Sequence, residues 1–180
     1  MIQMPITIKE ASAEDIPFLQ AMIWQAMLAS PIFVAHHGVE TLQHLEEEYW
    51  KNWEAHPNPA FVALDATGQK LGAITVKPNG ADEPVQGWRI GIAVAAHARG
   101  QGLGQRLLER AIAFAREKGA DYVNLFVDPT NTRAIALYRR MGFVHVCNLR
   151  TYTHRVRFRS RAIDRLSPGT PSSQPPKRHR

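Results

Sequence analysis

The residues best suited to chemistry form one glycine-rich run, Arg99-Gly100-Gln101-Gly102-Leu103-Gly104. It follows an apolar stretch, Trp88 to Val94, that reads as a strand. It precedes Leu103, Leu107, Leu108, Ala111, Ile112 and Ala115, whose spacing predicts an amphipathic helix closed by Gly119. Glycines let backbone approach an anion without Cβ clashes. Successive amides can form a nest, and the following helix adds its positive end. A pyrophosphate is the natural occupant. The run lacks the Gly-Lys-Ser/Thr ending of a nucleotide P-loop. It also departs from the dinucleotide fingerprint, because its third glycine comes one position early and Asp121 precedes the next strand instead of ending it. Taken alone, the loop reads equally well as a tight turn.

A second motif breaks that tie. Asn131-Thr132-Arg133-Ala134-Ile135-Ala136-Leu137-Tyr138-Arg139-Arg140-Met141-Gly142-Phe143 lies about thirty residues downstream. It resembles the Asn-x-x-Ala-x-x-Leu-Tyr-x-x-x-Gly-Phe pattern of the GNAT superfamily of N-acetyltransferases at every named position. Arg99-x-x-Gly102-x-Gly104 resembles that family's coenzyme A pyrophosphate signature, and Ile6 to Leu19 its opening strand and helix. The resemblance spans roughly Ile6 to Phe158 and implies a set of roles. Acetyl-CoA is the cosubstrate. Main-chain amides of Arg99, Gly100, Gln101, Gly102, Leu103 and Gly104 hold the pyrophosphate. Main-chain groups of Ile92, Ala93 and Val94 pair with the pantetheine arm, and an amide near Val94 polarises the thioester carbonyl. Asn131 hydrogen-bonds the pantetheine, and Arg140 approaches the nucleotide phosphate. Tyr138 protonates the leaving thiolate.

The implied reaction is direct attack of a neutral amine on the acetyl thioester. Many relatives deprotonate the amine with a glutamate on the central strand. Trp88-Arg89-Ile90-Gly91-Ile92-Ala93-Val94 contains no carboxylate. Glu40, Glu83, His97 and His145 are conceivable bases, as are ordered water and backbone carbonyls, and none is assigned by position. Glu46-Glu47-Glu48 with Tyr49, Trp50 and Trp53 reads first as a solvated helix face with aromatics in the core, and second as an acceptor wall. His36-His37 has no partner at metal-ligand spacing, so no metal site is expected.

The elements that must position these residues follow from pattern. Ile6–Glu10 alternates as a strand, and Ser12 with Asp15 resembles a capping box before a helix over Ile16–Leu28. A second helix is expected over Thr41–Trp50. Ala60–Leu64 and Lys70–Val76 form a hairpin across Asp65-Ala66-Thr67-Gly68, followed by a loop from Pro78 to about Gly87. Tyr122–Val127 is a buried strand, Asn131–Met141 a helix, and Phe143–Val146 and Tyr152–Phe158 the final strands. This is an α/β class with a mixed, partly parallel, GNAT-like twisted sheet of six to seven strands flanked by helices.

Composition bounds the rest. The 180 residues suit one domain, expected over residues 1–160, with a basic, Pro/Ser-rich, disordered tail over 161–180. The net charge of +6 is uneven: Met1–Thr153 carries 14 basic and 15 acidic residues, whereas His154–Arg180 carries 8 basic residues and Asp164 alone. A near-neutral body argues against nucleic acid as a partner of the folded domain. Binding of nucleic acid or an acidic partner through the tail is the alternative from another class. A coenzyme-binding domain without catalysis is a third. No apolar run approaches a membrane span, Met1–Pro5 lacks the features of a signal peptide, and Cys147 is the only cysteine. A cytoplasmic enzyme, monomer or homodimer, acting on an amine acceptor is the resulting expectation.

Overall fold

The computed structural model describes residues 5–31, 34–35, 44, 59–79, 86–148 and 152–157. Seven strands form one sheet: β1 (Thr7–Glu10), β2 (Ala60–Leu64), β3 (Lys70–Pro78), β4 (Gly87–Val94), β5 (Tyr122–Phe126), β6 (Val144–Asn148) and β7 (Tyr152–Arg157). Their spatial order is β1-β2-β3-β4-β5-β7-β6. Every neighbouring pair is antiparallel except β4 and β5. Three helices are described: α1 (Ile16–Leu28), α2 (Leu103–Glu117) and α3 (Thr132–Arg140). The sheet therefore agrees with the mixed, partly parallel expectation. The helix expected over Thr41–Trp50, the His36-His37 pair and the tail lie outside the described residues, apart from His44.

Both faces of the sheet are covered, so the central strands are apolar on both sides. Phe61, Ile74, Val76, Ile90, Val123 and Leu125 belong to the core on the α2 face. Ala60, Val62 and Ala73 pack with Leu19 on the α1 face. The alternation of Phe61 and Val62 between cores is the period of two that a strand imposes. Helix α2 contributes Leu103, Leu107, Leu108, Ala111 and Ala115, all fully buried, along one stripe. Phe114 meets Phe61 and Trp88 edge-on, at 5.6 and 6.0 Å between ring centroids.

Two boundaries differ from expectation for local reasons. Pro78 pairs with Trp88, and Asn79 donates to the Gly87 carbonyl, so the β3–β4 ladder runs into the expected loop. Phe143 stays in the turn after Gly142 (φ 85°): its amide donates to the Tyr138 carbonyl and its ring packs on Tyr138 at 5.6 Å.

Asp15 does more than cap α1. Its side chain is buried, accepts from the Ser12 amide and hydroxyl, and pairs with Lys9 at 2.9 Å and Lys70 at 2.6 Å. Burial opposes the charge, but the hydrogen bonds from Lys70, Ser12 and Lys9 outweigh it and hold the carboxyl well below the usual carboxylate range. A depressed native pKa stabilises the fold above the ordinary carboxylate pKa, and that contribution fades as pH falls below it. Asp15→Asn should lose roughly 2 kcal/mol at neutral pH, the scale of hydrogen bonds to a charged group. Its urea stability should also fall less steeply than the wild type's as pH drops below about 4. Parallel pH profiles for the two proteins would contradict this role.

Candidate cofactor and active site

The central feature is an interrupted pairing. β4 and β5 pair only as Gly87↔Tyr122, Trp88↔Val123 and Arg89↔Asn124. β4 continues to Val94 along β3, and β5 continues to Phe126 along β7. Among the described residues, no strand lies beside β4 from Ile90 to Val94 on the β5 side. The closed end is locked by side chains. The Tyr122 ring occupies the space a Cβ on Gly87 would need, and Asn79 Nδ2 donates to Tyr122 Oη at 3.3 Å and to Asn124 Oδ1 at 3.1 Å. Beside this cluster the Arg89 guanidinium stacks on Phe126 at 4.9 Å. Burial and the Arg89 charge hold Lys77, its partner on β3, below the usual lysine range.

The open edge has a defined polarity. Ala95 donates to the Leu71 carbonyl at 2.9 Å, and the Ala93 carbonyl faces Gly72 on β3. In an antiparallel ladder alternate residues turn their main-chain groups to opposite sides. Ile92 and Val94 therefore present theirs to the cleft. This corrects one part of the expectation: the main-chain groups of Ala93 point to β3, not to a ligand. The Val94 carbonyl accepts from Arg99 Nε at 3.0 Å, which leaves the Val94 amide as the donor there.

A short 3-10 turn, Ala96–Ala98, leads from this edge into the glycine run. Gly100 (φ 85°) and Gly102 (φ 77°) both adopt left-handed backbone, which disfavours any side chain. The Arg99 amide turns back to the Ala96 carbonyl at 3.4 Å. The amides from Gly100 to Gly104 have no main-chain partner among the described residues. They sit at the N-terminus of α2, where the helix dipole adds positive potential. No described atom lies within 4 Å of a Cβ built on Gly102, so the loop is open at that residue. This geometry fits an anionic, elongated group: a diphosphate on the amides and an extended arm along Ile92 and Val94.

Asn131 caps α3, accepting from the Ala134 amide at 3.1 Å through Oδ1, which leaves Nδ2 as its donor. The preceding turn is fixed by Asp128, whose Oδ1 accepts from the Thr130 amide and hydroxyl and whose Oδ2 accepts from Ser30 Oγ at 2.6 Å. The Ser30 bond ties the end of α1 to the turn that carries Asn131. Tyr138 is 6% exposed, against Phe143, and burial pushes its phenol up to about 12. Arg140 lies in the last turn of α3, the end away from Asn131. His97 is exposed in the turn before the loop, and His145 is exposed on edge strand β6. Glu40 and Glu83 lie outside the described residues. Sequence reasoning missed the Ser30–Asp128 link and the approach of Arg133 Nη2 to Gly100.

Substituting Gly102 separates strain from binding. Gly102→Ala has room for its Cβ but must hold φ near 77°. It should cost the free protein about 1 kcal/mol, and Gly102→Val should weaken coenzyme A by roughly tenfold or more, about 1.4 kcal/mol. Calorimetric titration of both variants checks this; unchanged affinity in Gly102→Val would remove the loop from the site.

Comparison with known proteins bears on the family and the fold. A mycothiol acetyltransferase from Arthrobacter sp. (strain FB24) is 33% identical over 133 residues, covering 71% of this chain and 40% of the relative. The chain thus spans about two-fifths of the length of that relative. An N-acetyltransferase from Staphylococcus aureus Mu50 superposes with a TM-score of 0.65 at 21% identity, covering 85% of this chain and 98% of its own. The NatC complex bound to a Gag peptide and CoA contains a chain with a TM-score of 0.65 at 20% identity, covering 87% and 100%. These two likenesses speak for the fold. The sequence model of the acetyltransferase (GNAT) family matches residues 22–143, well over half the chain. The chain belongs to the GNAT acetyltransferase family.

Proposed function

We propose that this protein moves an acetyl group from acetyl-CoA to a primary amine by direct attack of the neutral amine. The observation that carries the reading is the open edge of β4, which leads directly into the unpartnered amides of Gly100 to Gly104 at the start of α2. These amides receive the diphosphate. Ile92 and Val94 pair with the pantetheine arm as an added strand, and Asn131 Nδ2 donates to it. The Val94 amide donates to the thioester carbonyl as negative charge develops there. Acetyl-CoA, when bound, supplies the activated acyl group.

Tyr138 donates a proton to the departing thiolate. Its raised phenol pKa keeps that proton in place throughout the neutral range. The new bond joins nitrogen to the acetyl carbon, the carbon–sulfur bond breaks, and the proton shed by nitrogen returns to the phenol through solvent. The run Trp88–Val94 offers no carboxylate, so no acidic side chain of β4 takes the proton from the amine. The reading assigns catalysis to residues 1–160 and leaves 161–180 as a tail. The lone Cys147 is in keeping with a cytoplasmic setting. Among the described residues no helix is long and apolar enough to cross a membrane.

The test is release of free thiol from acetyl-CoA against a panel of amines, amino acids and peptides. Small-molecule amines come first in the panel because of the mycothiol acetyltransferase likeness. Acceptor-dependent thiol release supports the reading; tight coenzyme binding with no turnover on any amine would favour a binding domain without catalysis. Tyr138→Phe should lower kcat by about a hundredfold, as loss of a general acid does, with little change in the KM for acetyl-CoA. Retained kcat would return Tyr138 to a purely packing role.

A further inference from the structure

Arg133 projects from the first turn of α3, and its guanidinium reaches the glycine loop. A Cβ on Gly100 would lie 2.9 Å from Arg133 Nη2, closer than real contacts allow. Glycine at 100 is favoured by its φ of 85°, and the short distance shows the Arg133 guanidinium lying over it. Arg133 makes no ion pair or hydrogen bond with a described residue. Its place is also electrostatically unfavourable in the free protein. A cation in the first turn of a helix opposes the helix dipole, and α3 carries no acid in that turn to offset it. The first turn of α2 likewise carries no acid. The N-terminus of α2 follows Gly100 directly, and the Arg133 guanidinium lies over that glycine.

We propose that Arg133 is a side-chain clamp on the diphosphate of the cofactor, closing over the group whose other side rests on the loop amides. The proposal rests on the cofactor assignment above and adds a charged ligand to it. Guanidinium groups suit this task, because their planar donors match two phosphate oxygens at once. The same geometry separates Arg133 from Arg140. Seven residues of helix put Arg140 about 10 Å further along α3, at its opposite end.

The test compares wild type, Arg133→Gln and Arg133→Lys with three probes: coenzyme A, 3′-dephospho-coenzyme A and pantetheine. Arg133→Gln should weaken coenzyme A and its dephospho form equally, by roughly tenfold to a hundredfold, the range for charge-assisted hydrogen bonds. Pantetheine, which lacks the diphosphate, should lose nothing. Arg133→Lys should recover part of the loss as a point charge. The logarithm of the association constant should also depend less steeply on salt in Arg133→Gln than in wild type. A loss seen with coenzyme A but absent with the dephospho form would assign Arg133 to the 3′-phosphate and overturn the proposal. Equal affinity in all three proteins would overturn it as well. Failure of wild type to bind coenzyme A would instead refute the cofactor assignment. Melting temperatures without cofactor should not fall in either variant, and should rise slightly in Arg133→Gln, because Arg133 is exposed, opposes the helix dipole and makes no ion pair or hydrogen bond with a described residue.

Discussion

The early end of the β4–β5 pairing is the constraint on which the rest depends. Each strand is fully paired on its other side, β4 with β3 and β5 with β7. The two halves of the sheet meet only at three residue pairs. The meeting is secured by Tyr122 over Gly87 and by the Asn79–Asn124 hydrogen bond. Beyond that point the Ile92 main-chain groups and the Val94 amide face away from β3 with no strand partner among the described residues. Among the described residues, the β5 side of β4 from Ile90 to Val94 is left without a neighbouring strand, and this edge leads to the N-terminus of α2.

Much of this was legible in the sequence because local rules govern it. The glycine run reads as a turn between strand and helix, and it is one, with Gly100 and Gly102 in left-handed backbone. The helix over Leu103–Glu117 follows from the spacing of Leu103, Leu107, Leu108, Ala111 and Ala115, all buried. The helix expected over Asn131–Met141 forms as Thr132–Arg140, with Asn131 as its N-cap. What escaped depends on which strand lies beside which. The opposite orientations of Ala93 and Val94 follow from the β3 register, which no periodicity reveals. Lys70 reaches Asp15 across 55 positions of sequence, and Ser30 reaches Asp128 across 98. Arg133 read as an unremarked member of a motif until α3 was placed against the glycine loop.

These long-range links also connect the parts of the site. Ser30 at the end of α1 holds Asp128, Asp128 orders the turn that presents Asn131, and α3 then delivers Tyr138 to the core and Arg133 to the loop. The groups proposed to meet the cofactor are therefore carried by regular elements: a central strand, a helix start and a capped helix. Gly104 lets α2 and α3 pack closely, since a Cβ there would sit 3.2 Å from Leu137.

Hydrogen exchange of the main-chain amides, with and without saturating coenzyme A, tests the central claim most directly. The account predicts slowed exchange at Ile92, Val94 and the amides from Gly100 to Gly104, with no matching change at the outer strands β1 and β6. Protection that leaves these amides unchanged while the coenzyme is bound would contradict it.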